Sequence, residues 1–545
     1  MRSFSSTIPG AALLWGCGVI ALCGTSAVAQ ADQPVPAGDS LASRSVGGPF
    51  LLPNSLVISS STYDPSQGSV ASLKVGSVLP NTDTATTLAV SDNNYVTVWN
   101  NASVDGSFGV TSPIRLTDVE PHSGHELSSR WIPTDQVVTS FSSKSELGLH
   151  IGQDCDGLRL IFVGYASPGV GAIDVSNSDA VAGQDPTNPV TFAFGSDFAF
   201  HRTIVSMDAD GRLFYTPTVN YGGNNGRSAL LGSNGLYYTV GNANNGNAAT
   251  FGASNGTNPD VTETTGLEVV KPIDAWSARV AIPAGNSAEV DPLLQFDLGK
   301  NGAADKPGKD NNYRGVTEFN GALYFTKGSG SNGMDTVYTV SSLPTVANAA
   351  SQKISVVPGF PTDSARSTGG DYTPFAVFFA NATTMYVTDE GTGASVDAAQ
   401  HAGLEKWTNV NGTWQLDYVL TKGLIGTVDS NLYGYDGQYP DVTTIGLRNL
   451  TGVVNDDGTV TLWATTSTSS TSGDNGADPN KVVRIVDEVA ATTLTGSVAQ
   501  ETFETIAGPT YGTAYRGVAY VKGECKSHHR FGGGCDDSDD HHDGR

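Results

Sequence analysis

From about residue 51 to residue 523 the chain repeats one texture. Short runs of β-branched and aromatic residues alternate with clusters of Gly, Asn and Asp. This period-two pattern with turn punctuation predicts strands, and no segment carries a sustained apolar face at helical spacing. Leu343 to Gln352 is the one ambiguous stretch, and it lacks a good apolar face. The fold class is therefore all-β.

Several hairpins share a degenerate pattern: an arginine, small and apolar residues, an Asn-Gly or Asp-Gly turn, then an apolar-aromatic strand. Arg314-Gly315-Val316 leads through Asn320-Gly321 to Leu323-Tyr324-Phe325, and Arg227 leads through Asn234-Gly235 to Tyr237-Tyr238. Arg202 precedes Asp210-Gly211, and Arg448 precedes Asp457-Gly458. Arg516-Gly517-Val518 supplies only a first strand before the pattern stops. Leu147 and Phe375 open two further hairpins without the arginine. Such dipeptides suit tight hairpins, whose central residues take positive φ. Anchors at 147, 202, 227, 314, 375, 448 and 516 average about 62 residues apart, which fits four-stranded blades of a β-propeller. Seven blades are expected, with six and eight open. Residues 202 and 227 are too close for a whole blade between them, so they belong to one blade or to adjacent ones. The half-copy at Arg516 suits ring closure by the two ends of the domain. A sandwich array and a β-helix are the rival folds.

Flanking segments complete the expected organisation. Arg2, the apolar run Ala11–Leu22 and Ala27-Val28-Ala29 read as an export signal over 1–29. Residues 30–50 read as a linker, 51–525 as the propeller, and the His/Asp-rich 526–545 as a disordered tail. The expected location is secreted or periplasmic. Of the three cysteines left after cleavage, Cys525 and Cys535 are expected to pair, and Cys155 reads as an unpaired turn residue.

Charge narrows the partners. Charged residues are 15% of the chain, yet acids outnumber bases 54 to 29. Losing the signal removes Arg2 and no acid, leaving a net charge of −26. Such a chain repels nucleic acid and anionic membranes. No later apolar run is long enough to span a bilayer, and a monomer is expected. Against this background Arg202, Arg227, Arg314, Arg448 and Arg516 hold repeat-equivalent places. If their strands are innermost, they converge at one channel mouth and suit a carboxylate or phosphate. The competing expectation is ion pairing between blades, with Asp197, Asp310, Glu318 and Asp441 as partners.

Other candidates are weaker. Asp208 and Asp210 resemble the opening of a calcium loop that lacks its distal acid, and calcium is the cofactor such loops would take. Asp389 and Glu390 follow an apolar strand, while Asp429, Asp436 and Asp441 cluster in a Tyr- and Gly-rich loop. His201, beside Arg202, is placed for general-base work. His528, His529, His541 and His542 suit loose metal binding by the tail. His122-Ser123-Gly124-His125-Glu126 matches no zinc-protease pattern and reads as a solvated turn.

Tyr221-Gly222-Gly223-Asn224-Asn225-Gly226-Arg227, Gly403-Leu404-Glu405-Lys406-Trp407 and Gly473-Asp474-Asn475-Gly476-Ala477-Asp478-Pro479-Asn480-Lys481 resemble a family of secreted bacterial proteins. So do Pro186–Val190 and Thr326–Gly330, and the resemblance spans most of 53–520. It implies an exported β-propeller of unknown activity and assigns no catalytic residue. Three functions follow as expectations. The first is binding of an anionic small molecule or polysaccharide at the mouth. The second is a metal-assisted hydrolase, lactonase or lyase, and the third a structural surface protein.

Overall fold

The computed structural model describes residues 50–64, 110–154, 157–166, 201–222, 224–243, 265–291, 310–330, 332–362, 372–392, 401–428, 442–469, 476–510 and 512–523. Short pieces between 66 and 88 and between 169 and 175 complete the set. The expected signal, most of the linker, Cys155, Cys525, Cys535 and the His/Asp-rich tail lie outside the described residues.

Six antiparallel sheets carry the fold. Blade one runs outward from Thr513–Val521 through Ser55–Thr62 and Ile114–Val119 to Glu126–Trp131. Blade two has His150–Asp154, Gly157–Ala166, Arg202–Asp208 and Leu213–Thr218. Its inner edge is extended at the other end by Val137–Ser140. Blade three has Gly226–Leu231, Tyr237–Gly241, Gly266–Val270 and Ser287–Glu289. Blade four has Val316–Phe319, Ala322–Lys327, Thr336–Val340 and Ser355–Val356. Blade five has Pro374–Asn381, Thr384–Asp389, Gly403–Val410 and Thr413–Leu420. Blade six has Val442–Val454, Thr459–Ser469, Val482–Glu488 and Glu504–Ala507, with Gly426–Val428 paired to its first strand.

The ring closes as the half-copy at Arg516 predicts. The last strand pairs with the first, in a register running from Ser55 opposite Val521 to Thr62 opposite Thr513. Strand alternation gives each blade two apolar faces, and each of the six junctions has its own cluster. Val57 and Leu116 of blade one meet Phe162 and Val205 of blade two. Tyr238 and Val240 of blade three meet Val316 and Phe325 of blade four. Trp463 of blade six meets Leu56 and Val518 of blade one.

Six blades, not seven, is the correction. Arg202 opens the third strand of the blade whose first strand follows Leu147, so 202 is not an anchor of its own. In an antiparallel blade the first and third strands run the same way, and each can end in a similar turn. Asp210-Gly211 joins the third and fourth strands, whereas Asn320-Gly321 joins the first and second. Both residues of Asn320-Gly321 have positive φ, as its tight hairpin requires. The ambiguous Leu343–Gln352 stretch forms only the 3-10 turn Ala349–Ser351.

With 202 removed, the remaining six anchors align one per blade: Leu147, Arg227, Arg314, Phe375, Arg448 and Arg516. The next residue in each is Gly148, Ser228, Gly315, Ala376, Asn449 or Gly517. The inner strands crowd at this level. A Cβ on Gly517 would lie 2.3 Å from the Leu147 carbonyl oxygen, and one on Gly315 would lie 2.6 Å from that of Phe375.

Second-strand hydroxyls link neighbouring blades at the same level. Ser59 donates to the Leu147 carbonyl at 2.8 Å and accepts from the Gly517 N–H at 2.8 Å. Thr326 donates to the Phe375 carbonyl at 2.6 Å and accepts from Gly315 N–H. Thr388 joins Arg448 and Ala376 in the same way, and Thr465 donates to the Arg516 carbonyl. Each hydroxyl satisfies backbone groups that crowding removes from water.

Candidate functional site at the channel mouth

Four of the five predicted arginines lie on or just before innermost strands: Arg227 near the start of its strand, Arg314 two residues before one, and Arg448 and Arg516 within theirs. Arg227, Arg314, Arg448 and Arg516 are all buried. Arg202 does not join them. It lies two strands out from the axis, stacked over the Tyr165 ring at 5.0 Å, and its Nε donates to the Asn224 carbonyl at 3.0 Å.

The four arginines surround the segment Phe141–Leu147, which leads into the inner strand of blade two. Leu147 turns the chain with φ of 60°. Glu146 anchors the segment. One of its oxygens accepts from Thr139 Oγ1 and Ser140 N–H at 2.7 and 3.0 Å, and the other from Asn225 Nδ2 at 2.7 Å and the Tyr165 hydroxyl. Ser145 Oγ accepts from Arg227 Nε at 3.1 Å and from Arg314 Nη1 at 2.7 Å. Arg516 donates to the carbonyls of Gly476 and Phe141 and to Ser61 Oγ. Arg227 also reaches the Tyr313 carbonyl at 2.7 Å.

Lys144 crosses the axis from this segment. Its Nζ lies 2.9 Å from Glu390 Oε1 on blade five, three places round the ring, and Arg448 Nε lies 3.1 Å from Glu390 Oε2. Burial alone would raise the Glu390 pKa, but Lys144, Arg448 and Arg314 outweigh it and hold the carboxyl at about 2. Glu390 is 5% exposed, while Lys144 retains 29%. Behind Arg314 a buried Lys327–Asp335 pair closes at 2.5 Å. Arg448 thus pairs across blades with Glu390, an acid outside the four expected partners. Glu318 instead accepts from Ser233 N–H and Oγ. Asp310 is buried, and Asp197 and Asp441 lie outside the described residues.

Asp389, one residue before Glu390, has a different environment. Its oxygens accept from Thr373 N–H and Oγ1, both at 2.6 Å, and from Gly391 N–H at 2.8 Å. Burial, with Glu405 adding to it, pushes its pKa to about 7 despite those donors. Glu405 is fully buried and lies on the same sheet face. It accepts from Trp407 Nε1 at 2.7 Å and Tyr372 OH at 3.2 Å, and it lies 2.6 Å from His401 Nδ1. Burial works against the charged His401 ring, but Glu405 and Asp389 prevail and raise its pKa. The Tyr372 and His401 rings are 4.8 Å apart, and His401 keeps 26% exposure. Neither His401 nor Lys144 was singled out from sequence. The spacing of His401 and Glu405 becomes meaningful only when a strand is known to begin between them.

The remaining candidates separate. His201 sits beside Arg202 on blade two, across the ring from Asp389 and Glu390, so the three do not form one constellation. Burial, with Arg202, lowers its pKa to about 4. Asp208 accepts from Arg212 N–H at 2.7 Å, and Asp208 and Asp210 face the Arg212 guanidinium at 3.7 and 3.6 Å. They lie in the hairpin that joins the third and fourth strands of blade two. His122 and His125 lie in the turn that Glu120 caps, as expected. Asp429, Asp436, His528, His529, His541 and His542 lie outside the described residues. Among the described residues no group of three or more His, Cys, Asp or Glu is placed to hold a metal. No helix among them is long and apolar enough to cross a membrane.

The chain is a six-bladed β-propeller. No family model matches the sequence, and no curated protein matches it. Solved structures give distant similarities. A functionally unknown protein from Desulfotomaculum acetoxidans is 11% identical at a TM-score of 0.30, covering 74% of this chain and 96% of that one. A putative exo-β-1,3-galactanase from Bifidobacterium bifidum is 9% identical at 0.26, covering 63% and 96%. An ulvan lyase described as a new polysaccharide lyase family is 9% identical at 0.26, covering 81% and 96%. At these values the likenesses carry no functional argument, and the propeller assignment rests on this chain's own strand pairing.

Proposed function

We propose that this propeller is an exported monomer that binds an anionic small molecule, or the anionic end of a polysaccharide, over the Lys144 side of its channel mouth. The observation that supports this is the Glu390 carboxylate, held by Lys144 and Arg448 with Arg314 adding its field. A place that stabilises one carboxylate so strongly has the electrostatics to recognise another, and charge-assisted bonds there outcompete neutral acceptors. From the Phe141–Leu147 segment, Ser145 Oγ accepts from Arg227 and Arg314, and the Phe141 carbonyl accepts from Arg516. Lys144, partly exposed, is the member a ligand would meet first. Titration calorimetry with trigalacturonate, with maltotriose as the neutral control, tests the reading. Binding of the acidic sugar alone, weakened by salt and about tenfold or more by Lys144→Gln, is expected. Equal binding of both sugars, or no binding of either at millimolar concentration, overturns it.

A second reading, a hydrolase, lactonase or lyase on the same scaffold, is supported by the His401–Glu405 pair. A carboxylate on Nδ1 orients an imidazole and directs Nε2 outward as the proton-transfer atom. Asp389 lies beside that pair, whereas His201 does not. Release of reducing ends or unsaturated uronate from acidic oligosaccharides, lost in His401→Gln, would favour this reading. Identical release by that variant would refute it.

A further inference from the structure

Glu268 is a buried carboxylate with no assigned role. It lies in the third strand of blade three, has 0% exposure, and neither oxygen has a hydrogen-bond partner. Its cross-strand neighbours are Thr239 on one side and Glu289 on the other, so all three share one sheet face. Tyr237 and Val270, two residues along, share that face and pack against Ile161, Val163 and Ile204 of blade two. Glu268 therefore faces the seam between blades two and three.

The seam is polar at this level. Tyr221 OH lies 2.6 Å from Thr239 Oγ1 and donates to the Gly266 carbonyl at 3.2 Å. Asn220, fully buried, accepts from Ser287 Oγ at 2.9 Å, and its Nδ2 has no partner. Ser287 is on the Glu268 face, opposite Val270. Asn amide orientation is set by its network, so turning Asn220 would present its oxygen where Nδ2 now stands.

An ionised, unpartnered carboxylate in such a place costs several kcal/mol. Protonation alone does not resolve this, because the new O–H would also need an acceptor. A cation does resolve it, because it neutralises the carboxylate and takes the place of the missing donors around Glu268. Glu289, opposite it, also accepts from Asn311 Nδ2 at 3.4 Å. Two carboxylates call for a divalent ion. An all-oxygen donor set favours calcium over zinc, and the irregular mix of carboxylate, amide and hydroxyl favours it over magnesium.

We propose that Glu268 and Glu289, with Asn220 and Tyr221 as neutral oxygen donors, form a calcium site that clamps blade two to blade three. The site is independent of the channel mouth and of the Asp208–Asp210 hairpin.

The test uses the full chain, stripped with chelator and melted with and without millimolar calcium chloride. A rise of a few degrees in Tm is expected in the wild type and in Asp210→Asn, and none in Glu268→Gln. If Glu268→Gln does not fold, the wild type decides by terbium luminescence excited through tyrosine. Saturation at one terbium per chain, displaced by calcium and weakened in Glu289→Gln, supports the site. No calcium-dependent rise in the wild type, or a rise that survives Glu268→Gln, overturns it. Terbium emission that calcium does not displace, or that Glu289→Gln leaves unchanged, also counts against it.

Discussion

Asp389 and Glu390 are neighbours in the chain, yet the fold sends them into opposite electrostatic regions. Glu390 points to the axis, where a lysine from blade two and an arginine from blade six flank its carboxylate. Asp389 turns into the flank of blade five, where its nearest charged company is another buried acid, Glu405. Burial alone would raise both pKa values. Cations outweigh it at one residue, and a second carboxylate reinforces it at the other. Two acids one peptide apart thus come to about 2 and about 7. The contrast shows that burial supplies the leverage, and the sign comes from what other blades contribute.

The sharpest way to break the contrast is to remove one cation. Arg448→Met should cost about 3–5 kcal/mol in chemical denaturation at neutral pH, because Glu390 stays buried with one partner fewer. Thr373→Val, which takes a neutral donor from Asp389, should cost about 1–3 kcal/mol. Equal costs would show that the two regions do not differ in kind.

Stability against pH should separate the two acids next. Glu390 has a folded pKa below its unfolded value, so its contribution is present above pH 4.5 and is lost as pH falls toward about 2. Glu390→Gln should flatten that acid limb. Asp389 has a folded pKa above its unfolded value, so its contribution is full below pH 3.8 and is lost as pH rises through about 7. Asp389→Asn should remove that decline between about pH 4 and 7. Denaturant midpoints measured across both ranges check the assignment, and exchanged effects would refute it.

The smallest effect is expected at the partly exposed edge. His401→Gln should cost about 1 kcal/mol, since the glutamine amide can still donate to the buried Glu405 carboxylate. It should nevertheless move the Tyr372 and Trp407 environment, visible in near-ultraviolet circular dichroism, because Glu405 links all three. A large loss of stability would make the pair a structural brace and weaken the proton-transfer reading.

Much of the architecture was legible in the residues. The Asn320-Gly321 hairpin, the lone strand at Arg516 and the recurring anchor-then-turn pattern point to radial blades closed by their two ends. The hydroxyl links of Ser59, Thr326, Thr388 and Thr465 were not legible, because β-rich sequences contain many such residues and only register selects four. Lys144 was equally silent. It gave no motif, and its partner is 246 residues away.

What the sequence determined by itself was local. Alternation and turn chemistry gave strands and hairpins, and repetition set five arginines at equivalent places without saying how far from the axis they lie. Tertiary structure decided the rest. It set six blades where seven were expected, because a first-to-second and a third-to-fourth hairpin carry the same turn signal and differ only in distance from the axis. It also placed Arg202 two strands out from the axis and chose the arginines' partners, among them Ser145, the Phe141, Tyr313 and Gly476 carbonyls and Glu390. A buried charge must be satisfied by whatever the packed chain brings within about 3 Å. In a ring of blades those groups come from distant segments of the sequence.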